Sequence, residues 1–231
     1  MSIPIGQSVA FGTSFPDLNE DAYVAILRTI TEGWEIARKN SKVHPQANEV
    51  PMTECLRDGM RIALKHLPWR KQLLIAPGTE SRSDSEILIP DGRTDIPLYL
   101  IEIFLQYDEH DPHAIIECKR VAESNSHLTR EYVVEGVDRF RNGKYGGNHG
   151  KGFMAGYILA GTPSGIVTGI NAYLGKHRRD TEQLKPSSFV GCGCTWKSQH
   201  PRIGTMKPIG LHHVMLETQP ARLNQCAGNC E

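Results

Sequence analysis

The feature that most constrains this chain is the order in which its hydrophobic periodicities follow one another. Two stretches with helical spacing come first, then short apolar runs broken by turns, then alternating helix and strand signals. That order predicts an α/β fold, a central mixed β-sheet flanked by helices. Tyr23, Ile26, Leu27, Ile30, Trp34 and Ala37 stripe a first helix over residues 17–39, with Asp17 as N-cap and Glu20 three positions on. A second helix is expected over about 48–66, striped by Leu56, Met60, Ala63 and Leu67, with Pro51 tolerated in its first turn. Strands are expected at 72–76, 86–89, 94–104 and 114–119, separated by Pro77-Gly78, Pro90-Asp91-Gly92 and a turn at 108–112. A helix over 128–140, a glycine-rich loop at 142–152, a strand at 153–160, a helix at 165–174 and a last strand at 208–217 complete the pattern.

At 231 residues, one elaborated domain over 1–217 is expected rather than two. Its core spans about 48–160, a C-terminal helix and strand occupy 165–217, and a polar, Cys-containing tail fills 218–231. The 39% apolar and 23% charged composition excludes a disordered chain. No apolar run reaches the roughly 18–20 residues that cross a bilayer, so no membrane partner is expected. Met1-Ser2-Ile3-Pro4 lacks a basic region followed by an apolar stretch, and the six cysteines do not form a dense disulfide framework. The expected setting is therefore the cytoplasm.

Lys plus Arg and Asp plus Glu balance at 26 each, which excludes a strongly basic nucleic-acid coat. The charges are unevenly placed, however. Residues 80–117 hold ten carboxylates against two arginines, and residues 119–180 hold ten cations against five acids. A segment suited to cations precedes one suited to a polyanion.

Ile115-Ile116-Glu117-Cys118-Lys119 is an apolar strand with a charged end. Strand alternation puts Glu117 and Lys119 on one face and Cys118 on the other. If the turn at 108–112 folds the preceding strand back, Asp95 flanks the same point. Asp95, Glu117 and the Cys118 main-chain carbonyl then form a hard oxygen site suited to Mg²⁺ or Mn²⁺, with Lys119 placed to orient a water. Glu49 shares the inward stripe of the second helix and is expected as a further ligand, whereas Glu54 falls on its polar side.

Asp95, Glu117-Cys118-Lys119, the helix carrying Glu49, the helix after the motif and the 153–160 strand, in that order, resemble the PD-(D/E)xK or restriction-endonuclease-like nuclease superfamily. The resemblance covers about 48–160, and Arg93-Thr94 stand where the proline of the family name would be. It implies a restriction-endonuclease-like core with an N-terminal helix and a C-terminal extension. It further implies a metal-dependent phosphodiesterase with Asp95 and Glu117 as ligands and Lys119 as catalytic lysine, acting in defence, restriction or repair. Arg120, Arg139, Lys144 and Lys151, around the third helix and the glycine-rich loop, are the expected phosphate contacts. DNA is favoured over RNA as partner, and a homodimer is reasonable because two centres can cut two strands. Two other readings stand beside this one. The first is a catalytically inactive nucleic-acid-binding or assembly subunit of the same fold. The second is a Zn²⁺-stabilised interaction module built on Cys192, Cys194, Cys226 and Cys230. His200 and Arg202 are further candidates for phosphate contact, and His212 and His213 are expected on opposite faces of the final strand.

Overall fold

The computed structural model describes residues 18–81, 92–107, 111–145, 149–189, 192–202, 204 and 206–218. The helices α1 (Glu20–Ala37) and α2 (Glu49–Leu64) come first. They lead into β1 (Leu73–Ile75), the short strands β2 (Glu80–Ser81) and β3 (Gly92–Arg93), β4 (Ile96–Leu100) and α3 (Ile101–Tyr107). Next come β5 (Ala114–Ala122), α4 (Ser126–Tyr132), a π-helical turn (Val133–Val137), α5 (Asp138–Arg141) and β6 (Lys151–Ala160). The chain closes with α6 (Pro163–Lys176), a 3₁₀ turn (Asp180–Glu182), β7 (Lys185–Ser188), β8 (Cys194–His200) and β9 (Ile209–Glu217).

Seven strands form one mixed sheet in the order β1-β4-β5-β6-β9-β8-β7. β5, β6 and β9 run parallel at its centre, and the outer strands are antiparallel. The parallel steps need crossovers, and these carry α4–α5 and α6. The two faces hold separate cores. α1 and α2 pack on Ile116, Cys118, Phe153, Ala155 and Tyr157, while the crossover helices pack on Ile115, Val121, Met154, Ile158 and Met215. Alternation therefore turns Glu117 and Lys119 towards the crossover-helix side. α1 and α2 approach closely where Gly33 meets Gly59. A Cβ on Gly59 would stand 2.2 Å from the Gly33 carbonyl oxygen, so neither position has room for a side chain.

Four expectations need correction. α1 is capped by Asn19, whose side chain accepts from the Ala22 amide (2.9 Å), while Asp17 lies outside the described residues. The strand expected over 94–104 ends at Leu100 and turns helical. Its ladder partners stop there, since β1 pairs Leu73 with Leu100 and β5 pairs Ala114 with Leu98. The backbone beyond satisfies itself locally as α3. β7 and β8 were not expected, because β7 is short and polar and β8 turns polar side chains inward. Finally, the loop expected to run to residue 152 gives way to β6 at Lys151. The strand expected at 86–89 and the tail from 219 on lie outside the described residues. No described helix is long and apolar enough to cross a membrane.

Candidate active site

The site forms where α2, β4, β5 and α5 meet. Asp95 sits just before β4, and its Oδ2 accepts the Cys118 backbone amide at 2.7 Å. This bond ties the start of β4 to the middle of β5. Lys119 points into the same region. Its Nζ lies 2.8 Å from Glu117 Oε1 and 3.0 Å from Glu49 Oε1, and it also donates to the Cys118 carbonyl at 3.0 Å. Glu49 reaches the site from the first turn of α2, where the helix N-terminus favours a carboxylate. Its Oε2 accepts the Arg120 amide at 3.2 Å. The helical phase of Glu49, read from the inward stripe, thus matches its position.

Arg139 closes the site from α5. Its Nη1 donates to Glu117 Oε1 (3.0 Å) and to the Tyr145 hydroxyl (2.6 Å). The Tyr145 hydroxyl donates in turn to the Arg93 carbonyl (2.6 Å), two residues from Asp95. Tyr145 was not expected here. It is a buried aromatic at the edge of the glycine-rich loop, and its partner carbonyl lies far away in sequence, so no local pattern marks it. Gly136 in the π-helical turn allows this helix to lie close over the lysine. A Cβ there would stand 3.3 Å from Lys119 Cγ and 2.7 Å from the Met154 terminal methyl.

Glu117 is fully buried, and its Oε2 has no hydrogen-bond partner. Burial and the Asp95 charge push its carboxyl up to about 8, against the pull of Lys119 and Arg139. Asp95 is raised as well, chiefly by burial. Lys119 is held above its ordinary value by Glu117, Glu49 and Asp95, whose attraction outweighs its burial. Two carboxyls raised by burial, one with a vacant oxygen, make a donor pair short of positive charge, which a divalent cation suits. Among the described residues, no group of three or more His, Cys, Asp or Glu side chains is arranged to hold a metal ion.

The other predicted contacts are dispersed. The Arg120 backbone joins the site, but its Nε is buried without a partner. Lys144 lines a small cavity of about 110 Å³ with Arg139, Tyr145, Asn142, Asp138 and Glu135. Lys151 does not join the site, since its Nζ sits over the Tyr23 ring at 5.6 Å, on the α1 side. Arg202 is a strut rather than a phosphate contact, bonding the carbonyls of Phe140 (3.1 Å) and His149 (3.0 Å). His200 is fully buried. Cys192 is buried and Cys194 exposed, and Cys226 and Cys230 lie outside the described residues. Cys118 is core, on the face opposite Glu117.

His200 belongs to a second polar constellation that sequence reading missed. The Tyr132 hydroxyl meets His213 Nδ1 at 2.8 Å, and His213 Nε2 meets Ser198 Oγ at 2.7 Å. Ser198 Oγ meets His200 Nε2 at 2.6 Å, and His200 Nδ1 meets Glu182 Oε2 at 2.6 Å. Arg179 then bridges Glu182 (2.7 Å) and Asp138 (2.8 Å). A hydroxyl–imidazole–carboxylate order also activates nucleophiles. Here the Ser198 hydroxyl is buried between two imidazoles, so the chain acts as a structural tie between β8, β9 and α5. His212 faces the other way, among Tyr23, Phe153 and Phe189.

Neither family models, nor curated proteins, nor solved structures give a match to this chain.

Proposed function

We infer that the chain is a metal-dependent nuclease hydrolysing phosphodiester bonds in nucleic acid, with DNA the favoured substrate. The observation that carries this reading is the buried Glu117 carboxylate, vacant at Oε2, beside Asp95 and sharing Lys119 with Glu49. Asp95, Glu117 and the Cys118 carbonyl are the groups that would hold Mg²⁺ or Mn²⁺, and Glu49 would join them only by giving up its pairing with Lys119. When bound, such an ion neutralises phosphate charge and acidifies a water. Lys119, fixed by three oxygen partners, holds a cationic donor where an attacking water would be oriented. Arg139 aligns Glu117 and offers its remaining donors to charge developing on a pentavalent phosphorus. Tyr145 keeps Arg139 from swinging away.

A second reading follows from one feature of the same site. Lys119 Nζ has its three donors already directed at Glu49, Glu117 and the Cys118 carbonyl. A lysine satisfied in this way also suits a nucleic-acid-binding member of the fold without activity. Incubating the purified chain with single-stranded DNA, double-stranded DNA and RNA, each with Mg²⁺, Mn²⁺ or EDTA, separates the two. The nuclease reading expects metal-dependent cleavage that Asp95→Ala and Lys119→Ala both abolish. Binding without cleavage under every condition favours the second reading. Cleavage surviving both substitutions sinks the site as assigned.

A further inference from the structure

α2 delivers Glu49 at its start, but its flank carries a different chemistry. Arg57, Arg61 and Lys65 follow one another at four-residue steps, so they line one side of the helix about 6 Å apart along its axis. Arg57 is mostly buried and pairs with Glu54, leaving its Nε without a partner. Arg61 Nε donates to the Ile75 carbonyl at 3.0 Å, which fixes the guanidinium beside β1. Past the helix end, Arg70 and Lys71 join Arg61, Leu64 and Lys65 around a shallow hollow of about 300 Å³. No acid lines that hollow. Lys65, Arg70 and Lys71 are exposed, and no carboxylate among the described residues pairs with them.

The row continues towards the candidate active site. Arg93 Nε donates to the Gly78 carbonyl at 3.2 Å. Burial, then the Arg61 charge, hold Arg57 below its ordinary value, with Asp58 pulling the other way and Arg93 adding to the depression, so Arg61 and Arg93 each lie within electrostatic reach of Arg57. The anchor carbonyls of Ile75 and Gly78 are three residues apart on a segment that runs beside Thr94–Leu98, bonded through Ala76 to Pro97 (3.1 Å) and Thr94 to Thr79 (2.8 Å). Arg93 is two residues from Asp95. One cationic strip therefore leads from Asp95 along the α2 flank to the hollow. Glu54 and Asp58 offset Arg57 and Arg61 on the helix itself, so the unpaired positive charge of the row lies at Lys65, Arg70 and Lys71, around the hollow. The cations follow one another along α2 and past its end to the hollow. That shape suits a chain of phosphates better than a single small anion, and its continuity with Asp95 favours nucleic acid over a membrane surface.

We propose that this strip is the binding track for the phosphodiester backbone of a nucleic-acid strand, which it leads to the site between Asp95 and Glu117. This rests on the nuclease reading, and its test is arranged so that the two can fail separately. Binding is read by anisotropy of a fluorescein-labelled single-stranded 20-mer DNA, with the full chain, in EDTA, across 50–200 mM KCl. The variant Lys65→Glu/Arg70→Glu/Lys71→Glu alters only exposed side chains, and circular dichroism melting checks its fold. Losing three phosphate contacts predicts at least a tenfold weaker Kd and a salt slope shallower by about 2. Lys176→Glu/Lys185→Glu/Lys197→Glu carries the same change of net charge on exposed side chains of α6, β7 and β8, at the sheet edge opposite β1, and is expected to bind like wild type. Equal loss in both variants, or unchanged Kd and slope in the first, overturns the track. So does sedimentation of the wild type with phosphatidylserine vesicles in the absence of any DNA binding. Turnover of bis(p-nitrophenyl) phosphate by the wild type with Mg²⁺ or Mn²⁺ reads the active site alone, since this substrate is too short to reach the hollow. Its failure removes the enzyme reading and leaves the track standing on the binding data.

Discussion

A buried carboxylate with one vacant oxygen responds to substitution differently from the lysine that serves it. Lys119→Ala leaves Glu117 with Arg139 alone, and a carboxyl already raised to about 8 stays protonated more readily still, which softens the loss of the ammonium. We expect a loss of about 1–3 kcal/mol in urea unfolding, below the full cost of breaking a buried ion pair. Pairing Lys119→Met with Glu117→Leu removes both charges together and restores most of that loss, while cleavage stays abolished. A double variant as unstable as the single one would mean that Lys119 contributes packing more than charge. The buried chain from Tyr132 to Glu182 makes a sharper prediction, because its protons can run in one direction only. Glu182 is ionised, held down to about 2 by His200 and Arg179 despite its burial, so His200 must donate from Nδ1. Burial keeps His200 and His213 neutral. Ser198 then donates to the bare His200 Nε2 and accepts from His213 Nε2, and Tyr132 donates to His213 Nδ1. Nitrogen-15 spectra should therefore report the Nδ1–H tautomer for His200 and the Nε2–H tautomer for His213. The reverse assignment would break the chain at Ser198 for His213 and at Glu182 for His200.

At the scale of elements, the close approach of α1 and α2 depends on two glycines that face each other. Gly59→Ala sets a methyl 2.2 Å from the Gly33 carbonyl oxygen, backbone that has no flexible end to give way. We expect about 1–3 kcal/mol of destabilisation, although alanine is the better helix former. Unchanged melting would show that the helices separate at no cost. Glu49 rides on α2, so activity should fall further than stability alone accounts for. This level also shows what could be read from sequence. The apolar stripes of α1 and α2, the parallel strands and the inward phase of Glu49 were legible because each is written in consecutive periodicity. Ile101–Phe104, the start of α3, misread as strand because the apolar run carries no period long enough to decide, and the pairing that ends β4 lies in other segments. β8 stayed hidden because Ser198 and His200 point inward as polar partners, where a hydrophobic pattern expects aliphatic side chains. Tyr145 joins Arg139 to Arg93 across more than fifty residues of chain, and no local rule marks such a bond.

Across the whole molecule, buried histidines set an acid limit. Burial, then Lys151 and Lys197, hold His212 down to about 4, and burial, then Arg202 and His113, hold His149 down to about 3. Each has a folded pKa below its unfolded value near 6.5, so the unfolded chain takes up protons first as the pH falls. Stability from these residues is complete above pH 6.5 and drains away towards pH 4 and 3. Glu182 adds a second loss between about 4.5 and 2. His212→Phe, set among Tyr23, Phe153 and Phe189, should flatten the fall in melting temperature between pH 6.5 and 4. The retained difference is on the order of 2 kcal/mol at pH 4. Parallel melting curves for the two proteins over that range would assign the acid limit elsewhere.

Glu49 arrives from one outer layer of this sandwich and Arg139 from the other, with β5 between them. Any molecule gripped by both would act as a rivet through the sheet. Its arrival should slow amide hydrogen exchange in α2 and α5 together.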